Sequence, residues 1–151
     1  MEIDKVIKQS KFTDGYQKAV INLFYTSNFF RDAHLTVFNE YKIQSQHFNV
    51  LRILKGKHPE TVSPGYIKEV MLDKGCDLTR LIDKLQSLGF VHRFVSPDNK
   101  RKMNIALTEN GLLQLEKISI SFDEKNKELK CLSEDDYQLL SNLLDKMRNC
   151  H

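Results

Sequence analysis

Three consecutive cations, Lys100, Arg101 and Lys102, follow a Pro97-Asp98-Asn99 turn signal in the stretch SPDNKRK. Like charges set side by side repel one another, so the run suits an external polyanion. An ammonium meets a phosphate as a point charge, and a guanidinium meets it as a two-pronged donor. Upstream, CDLTRLIDKLQSLG carries Asp77, Thr79, Arg80 and Lys84 off a leucine stripe. Arg80 has the reach to bond O6 and N7 of a guanine, or to hold a phosphate, and Thr79 can touch a thymine methyl or a phosphate. Asp77 suits the positive end of a helix and could accept from a cytosine amine. Ser63, Gly65 and Tyr66 open an earlier helix whose first N–H groups suit phosphate. Plain capping by Ser63 is an equally sufficient reading there.

The charge distribution points the same way. Residues 74–104 carry seven Lys/Arg against three Asp/Glu, net +4, whereas 1–73 stand at +2 and 105–151 at −3. A short basic region of this kind faces a polyanion or is simply a solvated loop, and the elements that carry it must decide. Other chemistries find little footing. The five histidines (34, 47, 58, 92 and 151) form no i, i+4 pair, and Cys76, Cys131 and Cys150 form no CxxC, so neither a metal site nor a cofactor is expected. No Gly-rich phosphate loop or nucleophile elbow is present, and the chain is expected not to be an enzyme. Cys76 stands at the start of a predicted helix, where a thiol can become more acidic, but a bland, redox-inactive cysteine is the expectation. The N-terminus lacks an apolar leader, and no apolar run approaches the roughly 18–20 residues that span a bilayer. With no disulfide framework either, a cytoplasmic protein without membrane contact is expected.

These side chains need elements to position them. Helical spacing runs through 13–39 by Val20, Leu23, Phe24 and then Phe30, His34, Val37 and Phe38. Ser45 is read as the cap of a second helix ending near Gly56, and Ser63-Pro64 as the start of a third. Leu78, Leu81, Ile82, Leu85 and Leu88 make the most regular stripe, with Gly89 as its stop. Two short strands, 90–95 and 103–107, flank the charged turn. Thr108 caps a long helix, and Ser133 with Asp136 marks a last one. The order predicts a mainly α (α+β) chain of one unit, 1–151. A winged helix-turn-helix DNA-binding region spans 43–108, and a helical dimerisation region spans 13–40 and 109–150. The flanking helices carry more apolar surface than a winged domain of about 70 residues can bury, so a homodimer is expected. The aromatics Tyr25, Phe29, Phe30, Phe38 and Phe48 serve either as core or as the lining of a ligand pocket.

QHFNVLRIL, SPGYIKEVMLDKGCDLTRLIDKLQSLGFVHR and DNKRKMNIALTENG together resemble the MarR family of bacterial transcriptional regulators, over about residues 45–116. The resemblance implies a homodimer with long terminal helices, a palindromic double-stranded DNA operator, usually repression, and release by a small aromatic effector or an oxidant. One departure is that the family's wing Asp falls at Asn99, with Asp98 one position earlier. Another is that no cysteine precedes Cys76, so a first-helix oxidant sensor is absent. In this reading Arg101 inserts into a minor groove, and Lys100 and Lys102 meet phosphates. Two other readings are a winged helix that docks protein and a small-molecule sensor without DNA binding. The basic set Arg80, Lys84, Arg93, Lys100, Arg101 and Lys102 argues against protein docking, and a salt-dependent mobility shift would separate DNA binding from the sensor.

Overall fold

Leu51, Ile67, Leu85, Ile105 and Ile118 are fully buried, come from five different elements, and meet in one core. The computed structural model of the chain describes residues 2–96 and 99–149, without the side chains of Lys100 and Arg101. Its order is α1 (Ile3–Val6), α2 (Gly15–Glu40), α3 (Ser45–Lys57), α4 (Pro64–Val70), α5 (Leu78–Ser87), β1 (Val91–Ser96), β2 (Asn99–Leu107), α6 (Glu109–Leu129) and α7 (Glu134–Arg148). The chain is mainly helical, with a two-stranded wing after the helix-turn-helix pair α4–α5. α3 is the hub and touches α2, α4, α5, β2 and α6. It buries Phe48, Val50, Leu51 and Leu54, and each such side chain stabilises the fold by about 1.5–3 kcal/mol.

The wing is rooted in this core. β1 and β2 pair antiparallel from Val91↔Leu107 to Val95↔Met103. Val62 adds a bridge to Ile105, with N–H···O bonds of 3.0 and 2.9 Å, one in each direction. Thr108 closes the base: its hydroxyl accepts from the Gly111 N–H at 2.9 Å and donates to the Gly89 carbonyl at 2.6 Å. Gly89 has φ +72°, and a Cβ on Gly111 would sit 1.9 Å from the Phe90 carbonyl oxygen. The LTENG block thus has a local cause: a cap, and a glycine where α6 presses against backbone.

Several expectations change. Ser45 is the first residue of α3, not its cap. Gln44 holds that place in a reciprocal cap with His47, whose Nδ1 accepts from the Gln44 N–H at 3.0 Å. α5 begins at Leu78 with Asp77 as cap, so Cys76 lies ahead of the helix rather than at its N-terminus. β2 begins at Asn99 rather than at residue 103. Val95 pairs with Met103 while Ser96 pairs with Asn99, so residues 100–102 form an irregularity within β2 and not a turn tip. Asp98 and Pro97 of the expected turn, and Cys150 and His151, lie outside the described residues. The short helix α1 had no signal in the sequence reading.

A second layer stays open. α2 packs on α6 through a few buried residues, His34, Val37 and Phe38. Tyr16, Leu23, Phe24, Tyr25, Phe29 and Leu35 of α2 are exposed. α7 has an amphipathic stripe with no buried residue: Leu139, Leu140 and Leu143 all face outward. No described helix is long and apolar enough to cross a membrane.

Candidate nucleic-acid interface

α5 divides its faces sharply. Leu81, Ile82 and Leu85 are buried, while Thr79, Arg80, Asp83, Lys84, Gln86 and Ser87 are exposed. The Asp77 carboxylate accepts from the Arg80 N–H at 3.2 Å and also lies 3.2 Å from Arg80 Nε. One carboxylate therefore caps the helix and leans on the guanidinium. At 87% exposure the Arg80 side chain projects outward, so this ion pair contributes little to stability but leaves the Nη groups presented to solvent.

At α4, Ser63 Oγ accepts from the Tyr66 N–H at 3.2 Å, and Pro64 fills the first helical position. The Ser63 oxygen is thereby used as a cap. Gly65 would tolerate a Cβ, whose nearest contact would be Ser63 Oγ at 3.8 Å, so the residue is not required by packing. Tyr66 is half-buried, with the Lys57 ammonium 5.2 Å from its ring centre. On the wing, Lys102 is exposed, whereas the side chains of Lys100 and Arg101 lie outside the described residues. Arg93 departs from the expected cation set. It reaches from β1 to α5, with Nη2 2.6 Å from Asp83 Oδ1 and Nε 2.8 Å from Gln86 Oε1.

The five aromatics do not form one pocket. Phe38 and Phe48 border a cleft of about 320 Å³ between α2, α3 and α6, with His34, Phe122, Arg31 and Arg52. Tyr25 and Phe29 line a separate surface cleft with Asp32. Phe30 lies along His34, ring centres 6.5 Å apart. Phe122 and His34 also line this cleft, although neither belongs to the five expected aromatics. Phe122 stacks on His34 at 4.5 Å and lies 5.0 Å from Phe48, and His34 Nε2 bonds Asn126 Oδ1 at 2.8 Å. Phe122 falls on the apolar stripe of α6, and that was the only signal available. Burial, with the Lys84 ammonium as a second cause, holds the His47 imidazole below its usual range. Among the described residues no group of three or more His, Cys, Asp or Glu could hold a metal ion.

Comparison with known proteins adds to this geometry. No protein-family model matches the chain. It is 26% identical over 113 residues to the HTH-type transcriptional regulator PecS of Dickeya dadantii, across 74% of this chain and 68% of that one. Among solved structures, a MarR transcription factor from Planctomyces limnophilus shares 29% identity and a TM-score of 0.69, covering 89% of this chain and 98% of its own. A cysteine-to-serine mutant of MarR from E. coli, complexed with operator DNA, shares 26% identity and a TM-score of 0.73, covering 89% and 99%.

Proposed function

Since this chain belongs to the MarR family of DNA-binding transcriptional regulators, we propose that it acts as a homodimer on a two-fold symmetric operator, as a repressor whose affinity a small aromatic effector lowers. One observation carries the reading: the exposed donors of α5 stand beside a wing whose second strand holds three successive cations. Thr79, Arg80 and Lys84 meet base edges and phosphates in the major groove, with Asp77 orienting Arg80. Ser63, Gly65 and Tyr66 bring the start of α4 to the backbone. Lys100 and Lys102 meet phosphates, and Arg101 enters the flanking minor groove.

The exposed apolar faces of α2, α6 and α7 support a dimer, because patches of this kind are covered in a soluble oligomer. A two-fold pair would set its recognition helices roughly 34 Å apart, one turn of DNA. The MarR mutant solved on operator DNA supports the same mode of binding. The cleft beside Phe38, Phe48 and Phe122 supports the effector. Its aromatic walls suit a ring, and Arg31 and Arg52 on its border suit a carboxylate.

Selection from a random-sequence duplex library tests the reading, with sedimentation of the protein alongside. The expected outcome is a palindrome bound by a dimer, with affinity that falls as salt rises. An enriched pool without sequence preference, or a monomer, contradicts it. Benzoate as probe should weaken the complex in the wild type but not in Arg52→Ala.

A further inference from the structure

Arg93 belongs to β1 but is bonded to α5. Its two contacts, to Asp83 at 2.6 Å and to Gln86 at 2.8 Å, come from residues one helical turn apart. A planar guanidinium with fixed N–H directions can serve both acceptors at once, whereas an ammonium is a point charge without that fork. The Arg93 side chain is only 30% exposed, which sets it apart from the outward Arg80. Its position on the strand also matters. Arg93 pairs with Ile105, which is fully buried, so the base of the wing is anchored there. The next pair outward on the same face, Val95↔Met103, is exposed at both residues.

We propose that Arg93 is a positioning residue for DNA binding, which latches the wing to the recognition helix and masks the Asp83 carboxylate on the surface that meets phosphates. The proposal rests on the DNA-binding reading above. A winged protein engages two adjacent grooves at once, and fixing the angle between helix and wing beforehand removes an ordering cost from association. An unmasked Asp83 would meet the incoming phosphates with like charge. Arg93 thus leaves the set of cations that contact DNA, although its loss weakens DNA binding.

The test is a double-mutant cycle of Arg93→Met, Asp83→Asn and the pair. Affinity is measured on the selected duplex, and amide hydrogen exchange is measured on the free protein. The latch predicts faster exchange along β1–β2 in Arg93→Met, with a loss of affinity of roughly tenfold that shrinks to about threefold or less in the Asp83→Asn background. Arg93→Lys, which keeps the charge and loses the fork, should recover little of the wing protection. A direct phosphate contact predicts the reverse. Equal cost in both backgrounds, wild-type affinity in Arg93→Lys, or unchanged exchange would each overturn the proposal. Should Arg93→Met fail to fold, Gln86→Ala loosens the same latch from the helix side and must speed exchange of the wing. Should the wild type bind no selected duplex, the functional reading fails, while the exchange experiment still decides whether Arg93 holds the wing.

Discussion

α5 and α7 begin alike and end differently. Each is capped by a side-chain oxygen, Asp77 in one and Ser133 in the other, that accepts from the N–H three residues on. Each carries a leucine stripe. The stripe of α5 goes into the core of its own chain through Leu81, Ile82 and Leu85, whereas that of α7 buries nothing. An apolar stripe states that a face is to be covered. It does not state whether the cover comes from the same chain or from another.

Mutation should separate the two cases. Leu85→Ala removes a fully buried side chain and should cost about 2–5 kcal/mol, with a fall in Tm that does not depend on protein concentration. Leu143→Ala in α7 should leave the winged core intact and lower Tm most at low protein concentration, because it weakens the proposed dimer, which mass action dissociates on dilution. A Leu143→Ala protein that melts like the wild type at every concentration would break the contrast. Thermal melts over a wide range of dilution supply both answers.

Gly111→Ala sharpens the same contrast at the seam between wing and α6. Its Cβ would meet the Phe90 carbonyl, so a strain of about 1–3 kcal/mol is expected from denaturant unfolding. Gly15→Ala, at a position with nothing within 4 Å, should cost no stability.

A smaller effect follows from His47. Its folded pKa lies below the unfolded 6.5, chiefly through burial, so the unfolded chain takes up a proton first as pH falls. The neutral ring therefore contributes stability that is fully present above about pH 6.5 and is lost on acidification through the folded pKa, by at most about 1.4 kcal/mol per pH unit. His47→Gln should flatten the stability profile between pH 7 and 5, as read by urea unfolding at each pH. Smallest of all are the thiols. Cys76→Ser, Cys131→Ser and Cys150→Ser should each leave DNA affinity and its response to peroxide unchanged, in a titration with and without oxidant.

What was legible in the sequence was local. The α5 stripe, the caps at Ser63, Thr108 and Ser133, and the alternation of Met103, Ile105 and Leu107 depend on neighbours within a few residues. Helix-turn-helix, wing and long terminal helices follow from those signals in order. The misses depend on partners far along the chain. The irregularity that takes up residues 100–102 arises from pairing across the wing, and β-propensity alone does not register it. Gln44 displaces Ser45 as a cap because His47 reciprocates. His34 and Asn126 are 92 residues apart, and Arg93 spends its charge on another element.

The central claim is that α5 and the wing together hold DNA. It is tested most directly by binding isotherms of the wild type, Arg101→Ala and Lys102→Ala on the selected duplex at several salt concentrations, with melting temperatures alongside. Arg101→Ala should weaken binding by about 1–3 kcal/mol and lower the preference for A·T-rich flanks, Lys102→Ala should reduce the salt slope by about one, and Tm should hardly move in either. Arg101→Ala binding the duplex like the wild type would contradict the account and leave the SPDNKRK cations as a solvated surface.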